Sequence, residues 1–453
     1  MSPARKLPEG GIPTLFHTPA GVAEAARILA QGSGPIAIDT ERASSFRYDD
    51  RAFLIQLRRA DTPVVLIAPE GIRDTVRDLL SPVINGQKWV VHAAATDLTS
   101  LAWLGLYPGA LFDTEVAGRL LGIQNPNLAF VTETFLGITL DKGYGATDWS
   151  RFPLSKAQLA YAALDVESLL ELSDEMAYEL DQEDKTEWAQ EEFRVILEQF
   201  ADIKAPASRH WYQSRSLRGL SEPRSLAVAK AVWEEREKQA QKIDKAPGQI
   251  ISNAALMDIA KQMPRSINQL RRIPQMRKRP AGELSAWSHI IRSAADSDFH
   301  EWPSLPEVHH EFPNKQFLKN YHPELLELAN LARQHRDELA EDIAVVPDSL
   351  VSVSALRNTV WAVHGDPASP HFGDHARIVT SNSELRAFWK DQGLRNWQIK
   401  QLAPRLVPHL IYVQIIDPFG HSSSDAFGIH AYFFEHFATR AMLREDAWKC
   451  HSA

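Results

Sequence analysis

The chain has 453 residues, too many for one ordinary hydrophobic core, which predicts two to four domains. An apolar fraction of 44% and a charged fraction of 24% are those of a soluble globular protein. The single cysteine, Cys450, excludes a disulfide framework and zinc-ribbon sites and fits a reducing compartment. The net charge of −9 conceals an asymmetry. Residues 166–200 hold twelve acidic against two basic side chains, a net of −10, while residues 201–279 hold seventeen basic against seven acidic, a net of +10. A basic module beside an acidic one can bind a polyanion locally while the whole chain stays soluble. The first nine residues carry a basic patch with no apolar run behind it, unlike a secretory signal, and no uncharged apolar stretch approaches the length of a membrane span. A cytoplasmic protein without membrane contact is expected.

In chain order, residues 35–41 read as a buried strand that ends in acids. Ala52 to Leu57 and Val64 to Ile67 continue the sheet across the polar turn Arg59 to Pro63, and Ile72 to Ile84 has a helical period. Lys88 to His92 is a further short strand, Leu98 to Leu104 is helical, and Leu111 to Asp113 ends a strand that opens the helix Thr114 to Leu121. Strands that first pair and then alternate with helices predict an α/β fold, a mixed sheet flanked by helices. Ser155 to Phe200 reads as one long helical stretch, and Ile203 to Ser208 as a linker. Glu222 to Lys242, Ile250 to Met263 and Ser266 to Ile273 then form a small all-α unit. Residues 300–322, rich in proline, histidine and aromatics, read as a second linker. A further helical unit starts at Leu325 and resembles a distant repeat of the first. The aromatic tail beyond about residue 410 has no regular reading.

Three short blocks carry the chemistry: Ile38-Asp39-Thr40-Glu41, His92-Ala93-Ala94-Ala95-Thr96-Asp97 and Tyr161-Ala162-Ala163-Leu164-Asp165. Asp39 and Glu41, two apart on a strand, point to one side; Tyr161 and Asp165, four apart on a helix, share a face. Each block alone has a plain reading: a strand end capping a turn, a helix N-cap at Asp97, an exposed Tyr–Asp pair. Asp113 reads as another helix cap and as a supporting residue at most. Together the blocks differ, because burying carboxylates in apolar surroundings is unfavourable unless they are paired or hold a metal. Two cations roughly 3.5–4 Å apart need several carboxylate oxygens, and hard oxygen donors without a Cys or His cluster select magnesium or manganese over zinc. A tyrosine beside them can position or deprotonate an attacking water. The reaction class is in-line displacement at a phosphodiester.

These blocks resemble the three exonuclease motifs of the tyrosine-containing branch of the DEDD superfamily. Leu54-Ile55-Gln56-Leu57, Phe112-Asp113-Thr114, Asp148-Trp149-Ser150 with Pro153-Leu154, and Trp188-Ala189 narrow the resemblance to the ribonuclease D family. The resemblance implies a ribonuclease H-like 3′-5′ exonuclease domain over 12–200, a linker over 201–220 and an HRDC domain over 221–299. A second linker over 300–322, a second HRDC-like domain over 323–409 and a tail over 410–453 would follow. It implies that Asp39, Glu41, Asp97 and Asp165 bind two divalent ions, Mg2+ or Mn2+, and that Tyr161 orients the water. The implied activity is 3′-to-5′ trimming of transfer RNA precursors and other small structured RNAs, by a protein expected to be monomeric. Arg42 departs from the family, which often has phenylalanine there; it either meets a substrate phosphate or flanks the site. Arg265, Arg271, Arg272, Arg277, Lys278 and Arg279 form a basic cluster suited to phosphates, whereas Trp233 and Trp287 read better as core. His421, His430 and His436 have no ligand spacing and read as bystanders. The alternatives are a 3′-5′ DNA exonuclease, since the metal site does not distinguish the sugar, and a catalytically silent RNA-binding scaffold. The intact acids argue against the second, and no Gly-rich phosphate loop supports a nucleotide switch.

Overall fold

The computed structural model describes residues 4–411 except 141–142, 215–216 and 306–309. His421, His430, His436 and most of the expected tail lie outside the described residues. The first unit is a six-stranded mixed sheet with strands in the order β1-β4-β3-β2-β5-β6. The strands are β1 (Leu15–Phe16), β2 (Ser33–Arg42), β3 (Ala52–Ala60), β4 (Val65–Ile67), β5 (Lys88–Val91) and β6 (Ala110–Asp113). β2 is central, antiparallel to β3 and parallel to β5. Its alternation sends Ile36, Ile38 and Thr40 to one face and Ala37, Asp39 and Glu41 to the other. Both faces are covered, which is why the strand reads as a nearly continuous apolar run broken only by its terminal acids.

Helices α1 (Pro19–Gln31), α2 (Arg73–Ile84), α3 (Leu98–Ala102), α4 (Thr114–Leu120) and α5 (Leu128–Leu136) flank this sheet. The stretch read as one long helix is three: α6 (Lys156–Glu167), α7 (Leu169–Gln182) and α8 (Thr186–Phe200). The chain bends at Ser168 and again at Asp184, whose φ of 56° is left-handed. α6 begins with a capping box between Ser155 and Gln158 and lies on β2, β3 and β4, which brings Tyr161 and Asp165 over the face carrying Asp39 and Glu41.

Two helical units follow. The first comprises α9 (Pro223–Lys242), α10 (Pro247–Ile250), α11 (Asn253–Gln262), α12 (Ile267–Leu270) and α13 (Ala281–Ala295). It has its own core, and that core includes Trp211, Leu217 and Leu220. The expected linker over 201–220 is therefore folded in its second half, because three apolar anchors without helical period find burial against α9. The second unit comprises α14 (Lys315–Tyr321), α15 (Pro323–Asp342), α16 (Pro347–Leu350), α17 (Val353–His364), α18 (Asn382–Asp391) and α19 (Asn396–Ile411). α14 lies inside the stretch expected to be the second linker, held by the fully buried Leu318.

The two units repeat a detail that sequence similarity barely betrays. In each, a buried arginine on the long helix donates to a carbonyl beyond the short one: Arg236 Nη1 to Ile251 O at 3.3 Å and Arg336 Nη1 to Val351 O at 2.8 Å. Their attachments differ. The second unit shares one continuous core with the sheet. There Trp397 stacks on Trp188 at 4.8 Å, Arg395 pairs with Glu192, and the buried Lys185 Nζ donates to Leu120 O and Ala344 O. The first unit meets the sheet through the β2–β3 loop.

Candidate active site

The acids of the first and third sequence blocks converge. Carboxylate oxygens of Asp39, Glu41 and Asp165 lie within 4.8 Å of one another. Glu41 is 9% exposed, and Asp39 and Asp165 keep partial solvent contact. No side-chain donor reaches any of the three among the described residues. Burial first, then mutual repulsion, raises their proton affinities. Asp39 is held well above the usual carboxylate range, by burial and by the charges of Asp97, Asp165 and Glu41. Glu41 is pushed up to about 9 and Asp165 to about 7. Among the described residues only the Arg42 charge, acting on Glu41, opposes this, and like charges held together are what a cation relieves.

Asp97 stands slightly apart from that triad. It is 2% exposed, and its carboxylate accepts from Thr40 Oγ1 at 2.5 Å and Thr96 Oγ1 at 2.9 Å. It precedes α3 without capping it by a side-chain hydrogen bond, so the plain N-cap reading does not describe it. Burial raises its proton affinity while the Thr40 and Thr96 hydroxyls and the Arg42 charge oppose that. Its own charge in turn raises Asp39, Glu41 and Asp165. Thr40 alternates with the two acids of β2, so one strand presents Asp39 and Glu41 on one side and orients Asp97 from the other. Ser100 Oγ lies 3.2 Å from Thr40 Oγ1 and completes this set of hydroxyls. The sequence reading missed Thr40 and Ser100, although the hydroxyl between two acids in Asp39-Thr40-Glu41 was the available signal.

Asp113 does cap α4, through Glu115 N at 2.8 Å and Val116 N at 3.3 Å. The same carboxylate also takes Ala93 N at 3.1 Å and Ala94 N at 2.8 Å. Ala93 has a left-handed φ of 58°, unfavourable for alanine by roughly 1–2 kcal/mol. Asp113 thus secures the turn that delivers Asp97. Arg42 Nη1 donates to Thr96 O at 2.6 Å and to Asp50 at 3.3 Å, which favours the flanking reading: it ties the end of β2 to the residue before Asp97.

Tyr161 lies half-buried against Tyr144 and Trp149, with ring centroids at 5.7 and 6.3 Å. Its hydroxyl comes close to the backbone of Gly145, where an added Cβ would sit 3.8 Å away. Burial and the charges of Asp165, Glu41 and Asp39 push the phenol above its ordinary value, so it is a neutral hydroxyl at physiological pH. The donor set of four carboxylates, with no sulfur and no imidazole among them, fits hard divalent cations.

Of the basic cluster, Arg271, Arg272, Arg277 and Lys278 are exposed and have no ion-pair partner among the described residues. Arg265 pairs with Asp296, and Arg279 with Glu283 while also donating to Ile250 O. Trp233 and Trp287 are both buried in the core of the first helical unit. That unit grips the β2–β3 loop, which leads directly from the acids. Asp244 receives Arg51 Nη2 at 2.7 Å and Arg47 Nη1 at 3.1 Å, Ala246 N donates to Phe46 O, and Gln249 Nε2 to Ser45 O. Arg47 Nε also reaches Ser150 Oγ at 2.7 Å, in the segment that leads to Tyr161.

A mixed sheet bearing this carboxylate cluster, with helical units appended, defines a 3′-5′ exonuclease. The family model described as 3′-5′ exonuclease matches residues 13–181, and the HRDC domain model matches 225–284. The model described as 3′ to 5′ exonuclease C-terminal domain matches 311–410, the second helical unit. The chain is 30% identical over 290 residues to ribonuclease D of Bartonella henselae, covering 63% of this chain and 70% of that protein. It is 28% identical to that of Nitrobacter hamburgensis, covering 71% and 83%. A crystal structure of a protein from Bifidobacterium adolescentis superposes with a TM-score of 0.77 at 29% identity, covering 90% of this chain and 99% of that one. Escherichia coli RNase D shares the fold, with a TM-score of 0.58 at 20% identity over 83% of this chain and 98% of that one. The chain belongs to the ribonuclease D family and is a 3′-5′ exoribonuclease.

Proposed function

We propose that Asp39, Glu41, Asp97 and Asp165 hold two divalent cations, magnesium or manganese, and that the enzyme trims the 3′ ends of transfer RNA precursors and other small structured RNAs in the cytoplasm as a monomer. The observation that carries the site assignment is the close grouping of Asp39, Glu41 and Asp165, to which no side chain donates a hydrogen bond among the described residues. When bound, two such ions supply positive charge to the scissile phosphate and to both the attacking and leaving oxygens. The chain's own residues do the rest. Thr40 and Thr96 hold Asp97 in one orientation, and Arg42 fixes Thr96. Tyr161, as a neutral phenol, orients the water for in-line attack and does not remove its proton. Arg271, Arg272, Arg277 and Lys278 bind phosphates upstream of the 3′ end without reading sequence.

The test is cleavage of a 3′-extended transfer RNA precursor labelled at its 5′ end, with a DNA of the same sequence alongside, in magnesium, manganese and EDTA. A ladder that shortens one nucleotide at a time on RNA and is abolished by EDTA is expected. Asp39→Asn and Asp165→Asn should remove the ladder. Tyr161→Phe should slow it by about 10²–10⁴-fold with metal binding retained. Near-normal rates for either asparagine variant would overturn the metal assignment, and equal cleavage of DNA would overturn the RNA preference.

A further inference from the structure

Gln56 lies on β3 directly opposite Asp39 on β2. Directly opposed residues of an antiparallel pair project to the same face of a sheet, with Cβ atoms roughly 4.5–5.5 Å apart. Here that face is the one covered by α6, the helix that carries Tyr161 and Asp165. The surroundings of Gln56 are otherwise apolar. Leu54 is its neighbour on the same face, Leu66 opposes it on β4, and both belong to a small cluster with Trp149 and Ala162. A leucine would suit such a position. The glutamine is instead 0% exposed, and neither Oε1 nor Nε2 has a hydrogen-bond partner. Leaving a buried amide unpartnered is unfavourable, and each such group calls for a reason. Its counterpart is next to it in register: Asp39 is a carboxylate to which no side chain donates among the described residues. One strand offers a buried donor without an acceptor, and the adjacent strand an acid that has the backbone N–H of Thr40 but no side-chain donor among the described residues.

We propose that Gln56 is a positioning residue for Asp39, its Nε2–H donating to one carboxylate oxygen and fixing the orientation in which the other oxygen meets a divalent cation. The proposal rests on the metal assignment above. Donors behind a ligating carboxylate orient it, and their loss typically weakens metal affinity by about 10–100-fold. Gln56 would act through Asp39 and touch neither substrate nor the reacting atoms. A purely structural Gln56 makes the opposite prediction: a change in folding stability with metal affinity untouched.

The experiment uses the full chain and manganese alone as the probe. Wild type, Gln56→Leu and Gln56→Met are melted in EDTA, and their manganese affinity is titrated by the electron paramagnetic resonance signal of the free ion. Both apolar variants should melt at or above the wild-type temperature, because the orphaned amide is gone. Both should bind manganese about 10–100-fold more weakly, with exonuclease turnover recovering at high manganese. Gln56→Met, unbranched and of similar length, keeps the test valid if leucine disturbs packing. Manganese affinity within about twofold of wild type in a folded variant would overturn the proposal, whatever happens to the melting temperature. No manganese binding by wild type would overturn the metal assignment itself, a result readable before any variant is made.

Discussion

Single residues explain why a cation would suit this site and how its removal should register. Asp165 and Glu41 hold their protons up to about pH 7 and about pH 9, far above ordinary carboxylates, because they are buried and because each faces other acids. The folded state therefore binds more protons than the unfolded chain from about pH 4 upward, and stability must fall as pH rises through these values. In EDTA, the melting temperature of the nuclease unit should decline between about pH 5 and about pH 9. Saturating manganese should remove most of that decline, since the ion takes the place of the protons. Partial solvent contact at Asp165 screens its share, so a decline of several degrees is expected, at about 2–4 °C per kcal/mol. Calorimetry across that pH range with and without manganese checks this; parallel curves in the two conditions would mean the acids share no ion. Strand and helix spacing show in the sequence that Asp39 and Glu41 share a face, as do Tyr161 and Asp165, while the resemblance is what joined the two pairs, and the structure brings Asp39, Glu41 and Asp165 together. Asp97 and Asp113 were harder to separate. Both follow a strand and open a helix, and only the tertiary arrangement shows that Asp113 caps while Asp97 turns to Thr40.

At the level of elements, the β2–β3 loop joins chemistry to architecture. It leaves β2 just after Glu41 and is held at its middle by Asp244, which lies just past the end of α9. Asp244 has a left-handed φ of 49°, a conformation asparagine tolerates as well as aspartate. Asp244→Asn therefore removes the charge without forcing the backbone. It should weaken the pairs with Arg51 and Arg47, and Arg51 is the side chain more in need of them, being 13% exposed. Arg51 keeps Asp49 and Glu70, so a destabilisation of about 1–3 kcal/mol is expected in place of unfolding. Hydrogen exchange should rise in residues 43–51 while the core of β5 and β6 stays protected; unchanged exchange in the loop would show that the grip lies elsewhere. Nothing in the sequence marked this junction. Arg47 and Asp244 are separated by 197 positions, and the segments around them read only as polar turns. The same limitation hid the packed half of the 201–220 stretch and helix α14. Isolated apolar anchors such as Trp211, Leu217 and Leu318 have no period to reveal them, and their burial is decided by elements far along the chain.

Across the whole molecule, the charge asymmetry of the sequence resolves into two different uses. The acidic stretch 166–200 forms α7 and α8, and part of it is consumed internally: Glu191 accepts from Asn396 N, and Glu192 from Trp397 and Arg395, where the second helical unit joins the sheet. The basic stretch is consumed too, since Arg224 and Arg265 share Asp296, Arg236 is buried, and Arg279 is tied within its own unit. Among the basic side chains left exposed, Arg271, Arg272, Arg277 and Lys278 lie close together in sequence on a unit that has its own core and touches the loop beside the acids. These four should supply affinity and leave the chemical step alone. Replacing all four residues by alanine should lower the affinity for single-stranded RNA at physiological salt. Each phosphate that is no longer neutralised should reduce the slope of log K against log salt by about 0.7, so a fall approaching about 3 is expected if all four side chains bind phosphates. The rate at saturating short RNA should not change, because neither the acids nor Tyr161 is touched. Salt titration of binding together with single-turnover kinetics checks both halves. An unchanged salt slope would place the RNA path on another face, and a slower rate at saturation would mean the unit also orients the 3′ end.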